Sequence, residues 1–343
     1  MKAALYYKNN PKLIIQDVPI EDPQDHEVQV KVMACGICGS DLHLLHGFLK
    51  PVKDPIIPGH EAAGIIEKVG KNVQSLKKGD RVVISAGTSC GKCEFCLSHR
   101  ENLCEEVGVL GFNRDGAFAQ FINIPQSNVA KLPDEIPFEE GAILADAVST
   151  PFHAIKYVGN LQKNQNVLIV GCGGLGIHAI KISRALEANQ IYAFDIDEGS
   201  LENAKKAGAT SVYNSKNLKD IIKKIQKEIK FSLILDFTGN YDFVEPLIRL
   251  LNSGGKYIMV GLSRKELNLK IPSLMVFRSL CLCGSYGSDS RALPDLIDLY
   301  QKGKLNLKDS ISGIAPLDKI NDCFEILEKR VGNPIRFVVK PNE

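Results

Sequence analysis

The sequence predicts an α/β protein in which an irregular, barrel-like β domain precedes a doubly wound parallel sheet. Its length of 343 residues is the first observation, because it exceeds what one core usually organises. The second is a series of short strand-like runs, separated by glycine and proline, over residues 1–145. The third is the repeated order of apolar strand, glycine turn and helix from Asn166 onwards, which is typical of a parallel sheet covered by helices.

The overall composition argues against several classes of function. With 44% hydrophobic and 24% charged residues, the chain has the composition of a soluble globular protein. A net charge of +2 gives no reason to expect a nucleic-acid or membrane partner. We find no apolar stretch of about 18 residues and no signal peptide, so we expect a cytoplasmic protein that acts on a small molecule.

Short strands are predicted throughout the first part of the chain. Their apolar residues alternate or run briefly, at residues 28–32, 62–69, 81–84 and 117–124. Gly70 and residues 78–80 mark turns between them. Many short strands of this kind favour a barrel-like domain.

Strands and helices alternate in the second part. Residues 167–170 form a continuous apolar run, as expected for a parallel strand covered on both faces. Further strands are predicted at residues 191–194, 233–236, 256–260 and 280–283, with helices at 174–188 and 200–207. The tail is predicted to return to helix and then strand, at residues 292–302, 317–329 and 335–339. The lysine-rich residues 216–230 have helical spacing and are interpreted as a solvated helix face.

Four of the ten cysteines lie within fifteen residues, with the spacing C-x2-C-x2-C-x7-C: Cys90, Cys93, Cys96 and Cys104. Four thiolates this close can fill a tetrahedral zinc shell and leave no open position, so the predicted site is structural and does no chemistry. An iron–sulfur cluster uses the same ligands and is the alternative. The density of thiols disfavours four unconnected cysteines.

A glycine-rich turn predicts a dinucleotide site. The motif G-x-G-x-x-G occurs at Gly171, Gly173 and Gly176, after a predicted strand and at the start of a predicted helix. These glycines allow a tight turn and the approach of a pyrophosphate to backbone N–H groups. Asp195 ends the next strand, where a carboxylate can bind the adenosine ribose and repel a 2′-phosphate. We therefore expect NAD; the alternative is a packing turn followed by a helix-capping aspartate.

Candidate metal ligands occur in two short stretches. Residues 38–43 contain the thiol of Cys38 together with a hydroxyl, a carboxylate and an imidazole. His60 and Glu61 add an imidazole and a second carboxylate. Thiolate and imidazole are zinc-type ligands. Because neighbouring residues on a strand face opposite sides, Glu61 either joins His60 where the backbone bends or acts from outside the metal shell.

Together these motifs resemble the zinc-dependent medium-chain alcohol dehydrogenase family. The resemblance is carried by residues 38–43, by residues 59–64 with Gly70 and Val73, and by the four-cysteine loop, the glycine turn and Asp195 in the family's order. It implies a GroES-like catalytic domain, a Rossmann domain inserted before the C-terminus, and a cleft between them. The implied ranges are 1–147, with a structural zinc lobe at residues 88–106, then 148–284 for the Rossmann domain and 285–343 for the C-terminal return.

The resemblance also implies the roles of the candidate catalytic residues. Cys38 and His60 resemble the first two ligands of the catalytic zinc, and Asp41 resembles the carboxylate that orients the imidazole. Ser40 resembles the hydroxyl that takes the substrate proton, and His43 the group that passes it towards solvent.

A further set of residues matches the family's metal-adjacent and cofactor positions. Glu61 resembles a carboxylate that can approach the metal during ligand exchange. The implied cofactor contacts are Thr150, Gly171, Gly173, Gly174, Leu175, Gly176, Asp195, Val260, Gly261 and Arg336. Thr150 and Leu175 are expected to pack on the nicotinamide, and Arg336 to meet a cofactor phosphate.

The third zinc ligand is where this chain departs from the family. Relatives commonly have a cysteine just before the first Rossmann helix, and Asp146 stands at that position here. An anionic oxygen can ligate zinc, so Asp146 is predicted as the third ligand. The alternative is that Asp146 caps the helix that follows. Residues 145–151 also resemble a branch of the family that acts on cyclic hydroxyacyl-CoA thioesters.

The function implied by the resemblance is the reversible oxidation of a secondary or cyclic alcohol by hydride transfer to NAD, with two zinc ions per chain in a homodimer or homotetramer. A zinc-independent enoyl or quinone-type reductase using NAD(P)H is one alternative, and it predicts one zinc per chain. A non-catalytic nucleotide-binding protein is another, although it has no need of a proton relay. The near-neutral charge disfavours a nucleic-acid-binding zinc protein.

Overall fold

The computed structural model describes residues 1–343 and divides into two compact units. The first unit comprises Met1–Ser149, Gly287–Lys302 and Asn306–Glu343. The second comprises Thr150–Tyr286 and Gly303–Leu305. None of the helices has the length and hydropathy that a membrane span requires.

The strands are short in both units. In chain order they are β1 Lys2–Leu5, β2 Ile14–Asp17, β3 Glu27–Ile37, β4 Glu61–Val69, β5 Arg81–Ile84, β6 Gly87–Thr88, β7 Gly108–Val109, β8 Phe121–Pro125, β9 Val129–Lys131, β10 Val167–Val170, β11 Ile191–Asp195, β12 Ser211–Asn214, β13 Phe231–Asp236, β14 Leu251–Met259, β15 Cys281–Gly284, β16 Gly313–Pro316 and β17 Phe337–Lys340.

Helices and single turns connect these strands. The α-helices are α1 Gly39–Leu45, α2 Glu94–Leu97, α3 Phe138–Ile143, α4 Ser149–His153, α5 Gly174–Ala185, α6 Glu198–Lys206, α7 Leu218–Ile225, α8 Val244–Ile248, α9 Pro272–Arg278, α10 Ala292–Gln301 and α11 Ile320–Glu328. Two π-helical turns, Leu144–Val148 and Ala154–Val158, flank α4. The sequence patterns do not predict five of these helices, which are at most seven residues long: α1, α2, α3, α8 and α9.

The first unit is built around the long strand β3. Its main sheet has the order β16-β17-β3-β4-β5-β9, with β8 also paired to β3. The pairs are antiparallel except β16 with β17. Two register shifts bend β3 against β4, as expected of an irregular barrel. The sheet places Gly36 of β3 opposite Glu61 of β4, and this pair lies next to the candidate site.

The second unit is an all-parallel sheet with the order β12-β11-β10-β13-β14-β15. This is the doubly wound order of dinucleotide-binding folds, with β10 at the point where the strand order reverses. All four residues of β10 are buried, which agrees with the apolar run read from the sequence. Helix α7 buries Ile225 while its lysines stay exposed, so the lysine-rich stretch is a solvated helix face as predicted.

Candidate functional site

The turn from β3 into α1 fixes Cys38 and Asp41. Cys38 precedes the first helical residue, and Asp41 lies one turn inside the helix. The Cys38 N–H donates to Oδ2 of Asp41 at 2.9 Å. Both side chains are buried, with Asp41 only 1% exposed. The helix start therefore holds a carboxylate beside the candidate thiolate ligand.

His60 lies between two carboxylates. Its Nδ1 is 3.5 Å from Oδ1 of Asp41, and its Nε2 is 3.7 Å from Oδ2 of Asp146. Burial lowers the pKa of His60, but the charge of Asp41 and hydrogen bonds with Asp146 and Asp41 outweigh burial and raise that pKa well above its usual range. Ser40 Oγ lies 3.2 Å from Nε2. Nε2 of His60 thus faces Asp146 and Ser40, and Nδ1 faces the Asp41 carboxylate.

Asp146 reaches this cluster from a distant part of the chain. It lies in the first π-helical turn, and its Oδ2 accepts a hydrogen bond from Cys38 Sγ at 3.5 Å. Ligand atoms of Cys38, His60, Glu61 and Asp146 all lie within 4.8 Å of one another. Sulfur, nitrogen and oxygen ligands of one tetrahedral zinc ion lie roughly 3.3–3.7 Å apart, given the usual zinc–ligand distances. The donor set and its spacing therefore fit zinc.

Glu61 belongs to this cluster of ligand atoms and is also paired with Arg336. Glu61 is fully buried, and its Oε1 lies 3.4 Å from Nη1 of Arg336, which also donates to the carbonyl of Ile37 at 2.9 Å. Burial raises the pKa of Glu61 to about 7, against the opposing charge of Arg336. A Cβ at Gly36 would collide with the Glu61 carboxylate. Gly36 thus makes room for Glu61, a role that only the strand register reveals.

The remaining relay residue lies on the same helix as Ser40. His43 is three residues further along α1, so the two side chains share one helix face. Its ring lies 5.0 Å from that of Phe48. Partial burial lowers the pKa of His43. A neutral imidazole at this position is able to accept a proton.

The four cysteines of the predicted lobe converge. Cys93 and Cys96 have sulfur atoms 3.5 Å apart, those of Cys90 and Cys96 are 3.9 Å apart, and the Cys90 N–H donates to Cys104 Sγ at 3.5 Å. Sulfur ligands of one tetrahedral zinc lie about 3.8 Å apart. Backbone hydrogen bonds from Lys92 and Cys93 lower the pKa of Cys90 to about 7. The lobe therefore fits a closed four-thiolate metal site.

The glycine turn joins β10 to α5 in the second unit. Gly171 has a φ of +88°, in the left-handed region that favours glycine. A Cβ at Gly176 would collide with the Gly171 carbonyl, whereas one at Gly173 would meet nothing within 4 Å. Gly174 and Leu175 are the first residues of α5. Gly176 thus serves packing, and the open space at Gly173 fits the approach of a pyrophosphate to the helix N-terminus.

Asp195 lies at the carboxyl end of β11, beside this turn. It is 8% exposed, and its Oδ2 accepts from the Cys172 N–H at 2.7 Å while Oδ1 accepts from the Asp197 N–H at 3.0 Å. Asp197 itself caps α6 by accepting from Ser200. The Asp195 carboxylate therefore orders the glycine turn, in addition to the ribose contact expected from the sequence.

Two further loops lie at the same edge of the parallel sheet. Val260 and Gly261 follow β14, and both donate to the carbonyl of Asp236 at 2.9 and 3.0 Å. The Asp236 carboxylate accepts from Tyr257 Oη at 2.7 Å and from Thr238 Oγ1 at 2.6 Å. The sequence predicts Asp236 only as the end of a strand, although a carboxylate that closes an apolar parallel strand is a signal for a further role.

The cofactor roles predicted for Thr150 and Arg336 remain predictions. Thr150 is buried in α4 of the second unit. Arg336 is 3% exposed, and its observed partners are Glu61 and Ile37. A phosphate contact by Arg336 therefore has to coexist with the Glu61 ion pair.

Comparison with known proteins identifies related families and structures. Residues 24–134 match the family described as alcohol dehydrogenase GroES-like domain, and residues 174–302 match that described as zinc-binding dehydrogenase. An alcohol dehydrogenase of Geobacillus stearothermophilus is 34% identical over 334 residues, covering 96% of each chain. A probable D-xylulose reductase A of Aspergillus clavatus is 32% identical over 335 residues, covering 94% of this chain and 92% of that protein.

Solved structures show the same architecture. A structure described as a short chain alcohol dehydrogenase from E. coli CFT073, complexed with NADH, superimposes with a TM-score of 0.92 at 26% identity and covers 99% of each chain. The predicted fold class and oxidoreductase class, and zinc and a nicotinamide dinucleotide as cofactors, are confirmed by these matches. The matches support neither the zinc-free reductase nor the non-catalytic alternative. The chain therefore belongs to the zinc-dependent medium-chain alcohol dehydrogenase family, whose members are oxidoreductases acting on CH–OH groups.

Proposed function

We propose that this chain oxidises a secondary alcohol reversibly with NAD, at a zinc ion held by Cys38, His60 and Asp146. The observation that carries the proposal is the convergence of the three ligand atoms, with Asp146 Oδ2 at 3.5 Å from Cys38 Sγ and 3.7 Å from His60 Nε2. A carboxylate serving only as a helix cap has no reason to face both a thiol and an imidazole. Three protein ligands leave the fourth zinc position for substrate.

Each residue around this site has a role that follows from its contacts. A bound zinc supplies a Lewis acid that lowers the pKa of an alcohol oxygen. Oδ1 of Asp41 lies 3.5 Å from Nδ1 of His60 and favours a proton on that nitrogen, which leaves the Nε2 lone pair available to a metal. Ser40 Oγ, next to Nε2, is positioned to take the alcohol proton. His43, one helical turn further on, takes the proton from Ser40 and releases it to solvent.

The second unit supplies the hydride acceptor. NAD bound at the glycine turn would accept the hydride as the alcohol becomes a carbonyl. Gly173 leaves space for the pyrophosphate at the start of α5. The negative charge of Asp195 beside this turn suits ribose hydroxyls and repels a 2′-phosphate, so we propose NAD in preference to NADP.

The substrate we propose is a secondary alcohol of a small polyol or cyclic compound. The relatives named D-xylulose reductase support it, because that name denotes a ketose substrate with a secondary alcohol as its reduced form. The resemblance of residues 145–151 to the acyl-CoA branch makes CoA-linked alcohols the second class to assay.

The test is NAD reduction against primary, secondary, cyclic, polyol and CoA-linked alcohols, with zinc counted in the same sample. We expect turnover of a secondary alcohol or polyol and two zinc ions per chain. One zinc per chain with reduction of an activated double bond would contradict the proposal. Cys38→Ser should abolish turnover and lower the zinc count to one while the four-cysteine lobe keeps its metal.

We further propose a homodimer or homotetramer in the cytoplasm. The last strand of the parallel sheet, β15, has one unpaired edge, and the neighbouring helix α9 exposes 77% of Val276 and 86% of Phe277. Such a combination favours association with a second copy. None of the ten cysteines is paired in a disulfide, which supports a reducing compartment. We also propose a catalytic domain at 1–147, a Rossmann domain at 148–284 and a C-terminal return at 285–343. The division into two compact units supports these bounds, because the first unit contains both the N-terminal and the C-terminal segments. Light scattering of the purified protein tests the oligomeric state.

A further inference from the structure

A pair of hydroxyls, one buried and one half-buried, lies one helical turn from Asp146. Ser149 has no exposed surface, and its Oγ donates to the carbonyl of Ala145 at 2.9 Å. Ser288, which belongs to the same compact unit, donates its own Oγ to Ser149 Oγ at 2.9 Å. The Ser149–Ala145 bond spans the turn that contains Asp146. A residue 139 positions away in sequence thus braces the backbone that presents this carboxylate.

This turn has a specific need for such support. Asp146 lies in a π-helical turn, Leu144–Val148, and the proline at position 151 follows it closely. Pro151 has no N–H, so it donates neither to the carbonyl four residues earlier nor to that of Asp146 five residues earlier. A helix that lacks this donor is held less firmly by its own backbone. Side-chain hydroxyls that bond across the turn compensate for that loss.

The loop that carries Ser288 is itself tied to the four-cysteine lobe. We call residues 288–291 the bridge loop. The Asp289 carboxylate, which is buried, accepts from the backbone N–H and the Nε of Arg291, both at 3.1 Å, and so stiffens the loop. The Ser290 N–H donates to Oε2 of Glu101 at 3.1 Å, and Ser290 Oγ lies 3.3 Å from Nδ1 of His99. Both lobe residues lie between Cys96 and Cys104 in sequence.

We propose that Ser149 and Ser288 are positioning residues for Asp146, and that the bridge loop couples the four-cysteine lobe to the catalytic metal site. The inference rests on the proposed function, because it assumes that Asp146 holds the catalytic zinc. A continuous path of hydrogen bonds and backbone connects the two sites within one unit. It runs from Glu101 to Ser290, along the bridge loop to Ser288, and then through Ser149 to the turn that contains Asp146. Ordering the lobe with metal then also orders a ligand of the second metal.

The experiment replaces zinc by cobalt and follows both sites in the same sample, since a site with one thiolate and a site with four differ in their absorption. Ser288→Ala should speed the loss of cobalt from the one-thiolate site to a chelator by about three- to tenfold, as expected for one lost hydrogen bond. Ser149→Ala also removes the bond to Ala145 and should speed this loss at least as much. They should also shift the d–d bands of that site. The four-thiolate bands should stay unchanged.

Three further variants make the test specific. Ser288→Thr keeps the hydroxyl and should restore slow release. The double variant should resemble Ser149→Ala, because Ser288 acts on the turn only through Ser149. Ser183→Ala is the matched control: Ser183 is also fully buried and donates to the carbonyl four residues earlier, but it lies in α5 of the second unit. It should leave cobalt release unchanged.

The lobe end of the path has its own pair of variants. Glu101→Ala removes the acceptor for Ser290 and should speed cobalt release from the one-thiolate site, with no additional effect when combined with Ser288→Ala. Glu101→Gln keeps an acceptor oxygen and should behave like the wild type. Unchanged release in both Ser288→Ala and Glu101→Ala would overturn the inference while leaving the proposed function intact. Wild-type protein that binds no cobalt at the one-thiolate site would instead overturn the proposed function, and the inference with it.

Discussion

At the residue scale, the identity of Asp146 sets the chemistry of the proposed zinc site. Its oxygen is a harder donor than the cysteine that relatives commonly carry, so less electron density reaches the metal. A zinc ion with one sulfur, one nitrogen and one oxygen ligand is expected to polarise a substrate oxygen more strongly. The local negative charge is partly balanced, since Arg336 pairs with Glu61 in the same cluster.

Substitution of Asp146 tests the ligand assignment directly. Asp146→Ala should lower zinc from two ions per chain to one and reduce kcat/KM by more than the roughly 10–100-fold typical of an outer-shell residue. Asp146→Cys should retain two zinc ions with a reduced kcat. Asp134→Ala, at a side chain 97% exposed, is the control and should change neither quantity. Full zinc occupancy in Asp146→Ala would contradict the assignment.

Asp195 combines two tasks in one side chain. Its charge is proposed to select NAD, while its Oδ2 holds the Cys172 N–H of the glycine turn. Asp195→Asn removes the charge but keeps an oxygen acceptor, so the kcat/KM preference for NAD over NADP should fall about tenfold or more, with NAD binding largely retained. Asp197→Asn removes a charge from the same turn and should leave the preference unchanged. An unaltered preference in Asp195→Asn would refute the selecting role.

At the element scale, the loops at the carboxyl edge of the parallel sheet are held by one buried carboxylate. Asp236 closes β13 and bonds Tyr257 on β14 and Thr238 in its own loop. The Thr238 methyl in turn is close to where a Cβ at Gly171 would lie. Three of the loops that surround the proposed cofactor site are therefore packed through a single network.

This carboxylate should make stability depend on pH. Burial raises the pKa of Asp236, although hydrogen bonds from Thr238 and Tyr257 act in the opposite direction. A carboxyl with a raised folded pKa stabilises the fold below its unfolded pKa and loses that contribution as pH rises through the folded pKa. Asp236→Asn does not ionise, so its stability relative to wild type should increase as pH rises above about 4, the unfolded pKa of an aspartate.

Urea unfolding at several pH values measures this difference. Asp242→Asn, at a side chain 76% exposed in the same unit, should show a difference that does not vary with pH. If the difference in unfolding free energy between Asp236→Asn and wild type also did not vary with pH, the buried charge of Asp236 would have no energetic cost.

At the scale of the whole molecule, the two units divide the chemistry. The first contains both predicted metal sites, and the second contains the glycine turn and Asp195. The four-cysteine lobe is joined to the rest of its unit through short strands and single turns, so metal binding has to supply much of its folding free energy.

Loss of one cysteine ligand in the lobe should affect metal content and stability without affecting cofactor binding in the other unit. Cys104→Ser, at a buried thiol, should lower zinc to one ion per chain and the Tm by roughly 5–10 °C. NADH binding, measured by fluorescence, should stay within about twofold of wild type because the glycine turn lies in the other unit. Cys281→Ser, at an exposed thiol, is the control. A change in zinc content for Cys281→Ser, or none for Cys104→Ser, would contradict the lobe assignment.

The sequence by itself determined the features whose partners are close along the chain. The four-cysteine lobe, the glycine turn and the start of α1 each lie within a few residues, so spacing alone predicts which groups can meet. The alternation of apolar strands and helices likewise determined the parallel sheet, because each strand has to be covered on both faces.

Only the tertiary structure decided the contacts between distant segments. Asp146 meets Cys38 across 108 residues, Arg336 meets Glu61, and Ser288 braces Ser149. No local sequence pattern predicts these contacts. They depend on the strand register of the first unit's main sheet and on the π-helical turn that contains Asp146. A shift of one residue in the strand register or in that turn would point the side chains away from their partners. The packing of the complete core prevents such a shift.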